Sequence, residues 1–295
     1  MAISTPASAT RSADEQMAQA PDLLALTRRY RRLVISGAVA LVVLLIASLA
    51  PVLAPHDPLA IDPSRVLQGP QPGFPLGTDE FGRDILSRLL YGARPSLLVA
   101  AGATLMALLL GTLLGVMAGY ARGWSEQFLM RLVDVLLCFP PILLAMAIVG
   151  LLGPGVPNLI LIIGVLSAPA FARLAFASTI QVTGMEFMEA ARAVGTTPSR
   201  RITRYVLPNI HSPLIVQASL TAAAAILLES GLSFLGLGVV PPTPSWGLMI
   251  GAARGYMFQA PLYVLWPSLC IGITVLAINT FGDALRDALD PRLRK

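Results

Sequence analysis

Near-continuous apolar stretches of about 20 residues recur along this chain, each long enough for a helix to cross the roughly 30 Å hydrocarbon core of a bilayer. They run from Leu33 to Leu53, Leu97 to Gly119, Leu132 to Leu152, Asn158 to Phe176, Pro213 to Leu235 and Pro261 to Gly282. Hydrocarbon offers the backbone no hydrogen-bond partner, so such stretches fold as helices that satisfy their own N–H and C=O groups. The expected fold is therefore an all-α integral membrane protein with six transmembrane helices. With 55% hydrophobic and 13% charged residues the chain is far from the roughly 25% charged of soluble domains, whose cores could not hide this much apolar surface. Disordered, collagen-like and disulfide-stapled classes are excluded by the same composition. Cys138 and Cys270 both lie inside apolar runs, where a thiol acts as a small hydrophobe rather than a redox or metal group.

The net charge of +5 acquires meaning only once the basic residues are placed along the chain. Residues 1–27, rich in Ala, Ser, Thr, Pro and Gln, read as a disordered tail. Arg28, Arg29, Arg31 and Arg32 follow, as in a secretory signal, but the next apolar run exceeds the roughly 7 to 15 residues of a signal core and reads as an uncleaved anchor. With the amino terminus in the cytoplasm, only Arg65, Arg83, Arg88, Arg94 and Arg254 fall outside, and the other sixteen of 21 basic residues fall inside. That bias places both termini in the cytoplasm. Spread over four short segments, these charges report topology rather than a nucleic-acid groove.

The chain divides accordingly into a cytoplasmic tail with its basic cluster at 1–32, a first transmembrane helix at 33–53, an extracytoplasmic loop at 54–96, a five-helix core at 97–282 and a cytoplasmic carboxyl tail at 283–295. The outer loop opens with Pro55, Pro58 and Pro63 and is expected to end in an amphipathic helix. Thr78 would cap it, Asp79 and Glu80 occupy its first turn, and Phe81, Ile85 and Leu89 share a face. A second outer segment, Gly236 to Ala260, carries the rigid proline run VVPPTPSWG.

The connection at 177–212 is too patterned for a slack linker. Phe187 to Val194 holds strong helix formers, with Glu186 and Glu189 early, Arg192 late and Gly195 as the stop. Thr197 can cap a second short helix with Pro198 at its first position, running to Leu207 before Pro208. Two short helices joined at a glycine make a compact cytoplasmic projection suited to a groove on a soluble partner.

Here a resemblance becomes specific. Glu189, Ala190 and Ala191, then Gly195, then Leu207 and Pro208, resemble the EAA motif of permease subunits from binding-protein-dependent ABC importers. FPLGTDEFGRDILSRLLYGARPSL at 74–97, LLESGLSFLGLGVVPPTPSWG at 227–247 and DALRDALDPRLR at 283–294 resemble the dipeptide/oligopeptide family, second (C-type) membrane subunit. Tyr205 departs from the pattern, standing where many EAA loops carry an aliphatic residue. The resemblance implies a type I ABC importer permease fold with 97–282 as its core domain, paired with a homologous second permease. It also implies two ATPase subunits, each gripping one EAA loop and holding ATP and Mg²⁺, and an extracytoplasmic solute-binding protein. The implied cargo is a dipeptide or oligopeptide, nickel chelates and glutathione being handled by near relatives. Small Ala190 and Ala191 allow close approach to an ATPase, and Gly195 allows the reversal between helices.

No other constellation competes. No phosphate-cradling G-x-x-x-x-G-K-[ST] occurs and the only lysine is Lys295, so the chain is expected to have no catalytic residue, cofactor or metal of its own, and to meet lipid rather than nucleic acid. The glycines of GVMAGY and FLGLG read as helix-packing positions. Asp134, near the end of the third stretch, reads as a partner of Arg131 three residues away. Glu229 lies deeper and serves either structural hydrogen bonding or the lining of the route. Pro140 and Pro141 should kink the third stretch and Pro169 the fourth, which places the pathway along stretches three to five. A proton-coupled secondary transporter using Asp134 and Glu229 is the rival reading, but it ordinarily carries internal repeats, and the two halves show none.

Overall fold

A computed structural model describes residues 23–289; the amino-terminal tail and the last six residues, with the disorder expected of residues 1–22, lie outside them. Ten helices organise the described chain: α1 (Leu23–Ser48), α2 (Ile85–Ala121), α3 (Trp124–Leu137), α4 (Pro141–Leu152), α5 (Val156–Thr183), α6 (Glu186–Ala193), α7 (Pro198–Arg201), α8 (Leu207–Phe234), α9 (Trp246–Ala253) and α10 (Pro261–Leu289). One further turn of helix, Ala50–Leu53, extends α1. The end of the bundle bearing residues 54–84 and 235–260 is called here the loop end; the opposite end, bearing α6 and α7, is the knob end.

α2 and α5 form the central pair. Gly111, Gly115 and Gly119 recur every four residues along α2 and so share one face. A Cβ on Gly111 would overlap the carbonyl oxygen of Ala168 and lie 2.5 Å from Phe171 Cβ. One on Gly115 would overlap the Ala172 carbonyl and lie 2.7 Å from Ala175 Cβ. Gly119 meets Thr179 in the same way, and Gly164 of α5 returns the contact against Met106. Between lipid-bathed helices the apolar driving force is weak, so backbone approach at small residues supplies the attraction. The reading of GVMAGY as packing glycines thus has a specific partner.

Around this pair two apolar cores form. Towards the loop end Val99, Ala103, Leu159, Ile163, Ile226, Met249 and Tyr263 are buried together. Towards the knob end Ala107, Phe171, Ala175, Met188, Val206, Ile210 and Leu214 form a second core. The outer faces of α1, α2 and α10 remain apolar and exposed, as at Leu41, Leu109 and Leu276, which is what lipid contact requires.

Several expectations are revised. Five helical segments are long and apolar enough to cross a membrane, six if the bent pair α3 and α4 is one span, and the third stretch is broken at its prolines. α3 and α4 meet at 90° at a junction where neither Pro140 nor Pro141 can donate a backbone hydrogen bond. α5 runs unbroken through Pro169 to Thr183, farther than the fourth stretch suggested. The loop 54–96 does not end in a separate amphipathic helix: α2 begins at Ile85 and continues to Ala121, capped by Asp84, whose carboxylate accepts from Ser87 N at 3.0 Å. Thr78 caps nothing; its hydroxyl accepts from Gln68 N and donates to the Arg65 carbonyl. Gly82, at φ +74, with Asp62 O where its Cβ would be, turns the chain so that Asp79 is not in a helix at all.

The charges of that loop are consumed internally. Asp79 is fully buried and accepts from Arg83 Nε at 2.7 Å and from the backbone N–H groups of Phe81 and Arg83 at 2.9 Å, with Arg88 Nε 3.2 Å away. Glu80 bonds Arg83 at 3.2 Å and accepts from the Tyr263 hydroxyl of α10 at 2.5 Å. His56 stacks on Phe74 with ring centres 4.5 Å apart. FPLGTDEFGRD therefore builds a clasp tying the loop to α2 and α10.

The glycine seam generates a stability prediction. Gly115→Ala forces α2 and α5 apart and should cost about 1–3 kcal/mol, read as a lower unfolding midpoint of the detergent-solubilised protein. Gly272→Ala, where a Cβ meets nothing, should leave it unchanged. Equal midpoints for both variants would contradict the seam.

Candidate functional site

The knob begins where α5 ends at Thr183. α6 then runs eight residues with Glu186 and Glu189 in its first turn, favourable for the helix dipole, and Arg192 in its last. One face of α6 is buried: Met188 is wholly enclosed and Ala191 nearly so. Met188 sits in the knob-end core with Phe171, Ala175, Val206 and Ile210, so the short helix is anchored to α5 and α8 by its own side chain.

Gly195 makes the reversal. Its φ is +75, a left-handed conformation that glycine adopts without steric cost, and a Cβ there would meet no neighbour. Thr196 fastens the turn from both ends: its N–H and its hydroxyl both donate to Ala191 O, at 3.2 and 2.7 Å. Thr197 then caps α7 by accepting from Arg200 N at 3.4 Å, with Pro198 at the first helical position, as the sequence pattern predicts.

The second arm does not stop at Leu207. A π-helical turn, Ile202–Val206, carries α7 into α8, and Leu207 N donates to Ile202 O, five residues back. The wider turn gives the Pro208 ring room without ending the helix. Pro198 to Phe234 is consequently one continuous rod of 37 residues, about 55 Å long at 1.5 Å per residue. Tyr205, the departure from the motif, faces Phe187 of α6 with ring centres 6.3 Å apart and clips the two arms together.

The expected coupling residues divide by exposure. Glu189, Ala190, Gly195, Leu207 and Pro208 are exposed, whereas Ala191 faces inward beside Met188. Val194, next to the turn, is 83% exposed and is the most prominent apolar side chain of the knob. Sequence reasoning passed over Met188, Thr196 and the Phe187–Tyr205 pair. The spacing of Met188 and Ala191, three apart on a short charged helix, was a legible sign of a buried face.

The expected pathway residues separate. Pro140 and Pro141 lie exposed at the 90° break, beside exposed Phe139, Ile142 and Leu143. Glu229 is fully buried instead and lines no open surface of the chain. Ser233 Oγ donates to its Oε1 at 2.7 Å and Ser230 Oγ to its Oε2 at 3.3 Å. Val239 N in turn donates to Ser233 Oγ at 3.2 Å, so the carboxylate anchors the FLGLG loop. There Gly236 turns at φ +78 and Gly238 abuts Ser233. Asp134 does not pair with Arg131; its Oδ1 accepts from Arg173 Nη2 of α5 at 2.5 Å, a partner 39 residues away.

Comparison with known proteins follows the same lines. Residues 111–295 match the family model described as binding-protein-dependent transport system inner membrane component. The chain is 45% identical over 260 residues to the di/tripeptide transport system permease protein DppC of Pseudomonas aeruginosa, covering 86% of each. It is 41% identical over 271 residues to the glutathione transport system permease protein GsiD of Pectobacterium atrosepticum, covering 90% of each. Among solved structures it superposes on a chain of the MetNI methionine ABC transporter in an inward-facing conformation, with a TM-score of 0.57 and 20% identity, over 70% of this chain and 98% of that one. That likeness establishes the type I permease fold.

Two side chains generate tests. Met188→Ala should cost about 2–5 kcal/mol locally, read as faster amide hydrogen exchange across α6 with α2 and α5 unaffected. Glu229→Leu strands the hydroxyls of Ser230 and Ser233 and should destabilise the protein by about 1–3 kcal/mol, whereas Glu229→Gln keeps an acceptor and should unfold near the native midpoint. Identical midpoints for Leu and Gln at this position would remove its anchoring role.

Proposed function

Because the chain belongs to the binding-protein-dependent transport system inner membrane component family, we propose that it forms half of the translocation path of an ATP-driven importer for dipeptides or oligopeptides. A homologous second permease supplies the facing half, an extracytoplasmic binding protein delivers the cargo at the loop end, and two ATPase subunits bind ATP and Mg²⁺. This chain performs no covalent chemistry. The positive-inside bias of the basic residues supports a cytoplasmic knob end and cytoplasmic termini.

The observation that carries this reading is the knob's construction. A projection held by Met188, closed at Gly195 and continuous with α8 is stiff enough to transmit a partner's movement into the bundle. Glu189, Ala190, Gly195 and Val194 offer an exposed tip to an ATPase groove, and Leu207 and Pro208 flank it on the second arm. A di- or tripeptide cargo is favoured by the 45% identity to the Pseudomonas permease, and glutathione is the second reading, favoured by the 41% identity to the Pectobacterium one. Nickel chelates have no such support among these relatives. Proton-coupled transport by the single chain is disfavoured because the two halves of the sequence show no internal repeat and Glu229 is enclosed by serines.

The test is reconstitution in liposomes. The chain alone should be inactive, and the full complex should take up peptide with ATP hydrolysis. Gly195→Val places a β-branched residue at φ +75, re-aims the tip, and should lower uptake about tenfold, a coupling loss of about 1.4 kcal/mol. Gly195→Asn, which tolerates that conformation, should retain most of it. Proton-driven uptake by the chain alone, or full coupling in Gly195→Val, would contradict the proposal.

A further inference from the structure

Asp79, Arg83 and Arg88 are enclosed by their partners, but an ion pair between α3 and α5 is not. Arg173 and Asp134 meet at 2.5 Å while their side chains remain 57% and 39% exposed. Each stands ten residues from the knob-side terminus of its helix, Arg173 from Thr183 and Asp134 from Trp124, and close to the knob-side limit of its apolar stretch, Leu132–Leu152 for Asp134 and Asn158–Phe176 for Arg173. At the margin of the apolar stretches a charge pair favours water or protein over lipid. Asp134 also lies on the knob side of the 90° break at Pro140 and Pro141.

Asp134 opens onto a groove, with Arg173 bonded behind it. Along α3 and the flank of α5 a trough of about 560 Å³ is lined by the apolar Trp124, Phe128, Met130 and Phe176 and by Glu126, Gln127, Arg131 and Asp134, and it leads from Asp134 towards the knob end. That volume lies within the roughly 300–1,000 Å³ of small-molecule sites, and its lining mixes aromatic walls with charged groups. Within the pair only Nη2 and Oδ1 are engaged, leaving the rest of the guanidinium fork and the second carboxylate oxygen for another ion. A guanidinium fork matches a carboxylate in two-point geometry, and a carboxylate accepts from an ammonium. A half-exposed ion pair is also weak, so replacing each partner by a ligand ion of the same sign costs little.

We propose that Arg173 and Asp134 form an exchange site for small zwitterions in the knob-side half of the path, the substrate's carboxylate taking Arg173 and its ammonium taking Asp134. This deepens the importer reading and rests on it. A dipeptide and glutathione both carry these two charges, so the site selects for paired termini rather than for side chains. It thereby adds a specificity element within the membrane, downstream of the binding protein.

The experiment uses the full complex in proteoliposomes, with uptake normalised to occupancy of the binding protein. Probes are Ala-Ala, its carboxyl-terminal amide and its N-acetyl form; a complex that moves glutathione instead is assayed with glutathione and its diester. Arg173→Gln should lower Ala-Ala uptake roughly tenfold to a hundredfold, the size of one charged hydrogen bond, and leave uptake of the amide at the unaltered complex's level. Asp134→Asn should give the mirror result with the N-acetyl peptide. Unchanged Ala-Ala uptake in either variant overturns the inference, as does an equal loss for free and blocked peptides, which marks a structural tie. An unaltered complex that takes up neither Ala-Ala nor glutathione refutes the importer reading itself, a distinguishable failure.

Discussion

The close approach of α2 and α5 is the constraint on which the other contacts depend. Lipid removes the usual reward for bringing apolar faces together, so two helices stay paired only where small residues let backbones touch over several turns. Gly111, Gly115 and Gly119 provide three consecutive turns of such contact against Ala168, Ala172 and Thr179. With that seam fixed, α8 packs against both helices, and the two apolar cores fall on either side of its length. A larger residue in the seam therefore disturbs both cores and, through Met188, the seating of the knob.

Charge placement follows from the same scarcity of partners. The loop end carries its ions in a closed network, in which Asp79 accepts from two backbone N–H groups and a guanidinium while Glu80 reaches Tyr263 across to α10. Asp79 and Glu229 share one solution, a buried carboxylate with its lone pairs satisfied, and each stiffens a loop that the backbone alone would leave loose. Asp134 and Arg173 are built otherwise: one hydrogen bond, half the side-chain surface open, and a groove alongside.

Features that depend on neighbours in sequence were legible from it. The long apolar stretches, the Gly195 reversal, the Thr197 cap with Pro198, and the packing role of Gly115 and Gly119 all rest on composition or on residues within one or two turns. Features decided across long separations were not. Asp134 has a basic residue three positions away and a different one 39 away, and only the fold chooses between them. Thr78 and Asp84 are both capping residues ahead of the same apolar run; the turn at Gly82, pressed onto Asp62, gives the role to Asp84. Pro208 looked like a terminator because an α-helix has no room for it, and the π turn before it supplies that room. Proline spacing indicated a bend after Leu137 but carried no angle, since the 90° arises from how α3 and α4 pack on α5.

Stiffness and flexibility are distributed so that motion has one place to go. From Pro198 to Phe234 the knob's second arm and α8 are one rod, and α6 is tied to that rod by Met188, Thr196 and the Phe187–Tyr205 contact. α5 enters the same core and is locked to α2 by the glycine seam. A push on the knob is therefore shared by α2, α5 and α8, because packed interfaces of this kind shift as bodies rather than deform. α3 and α4 are the exception: their junction lacks helical hydrogen bonds at Pro140 and Pro141, and its side chains are exposed. In the proposed importer that junction is where a displacement of the rigid body is taken up, and the half-exposed Asp134–Arg173 pair stands on its knob side.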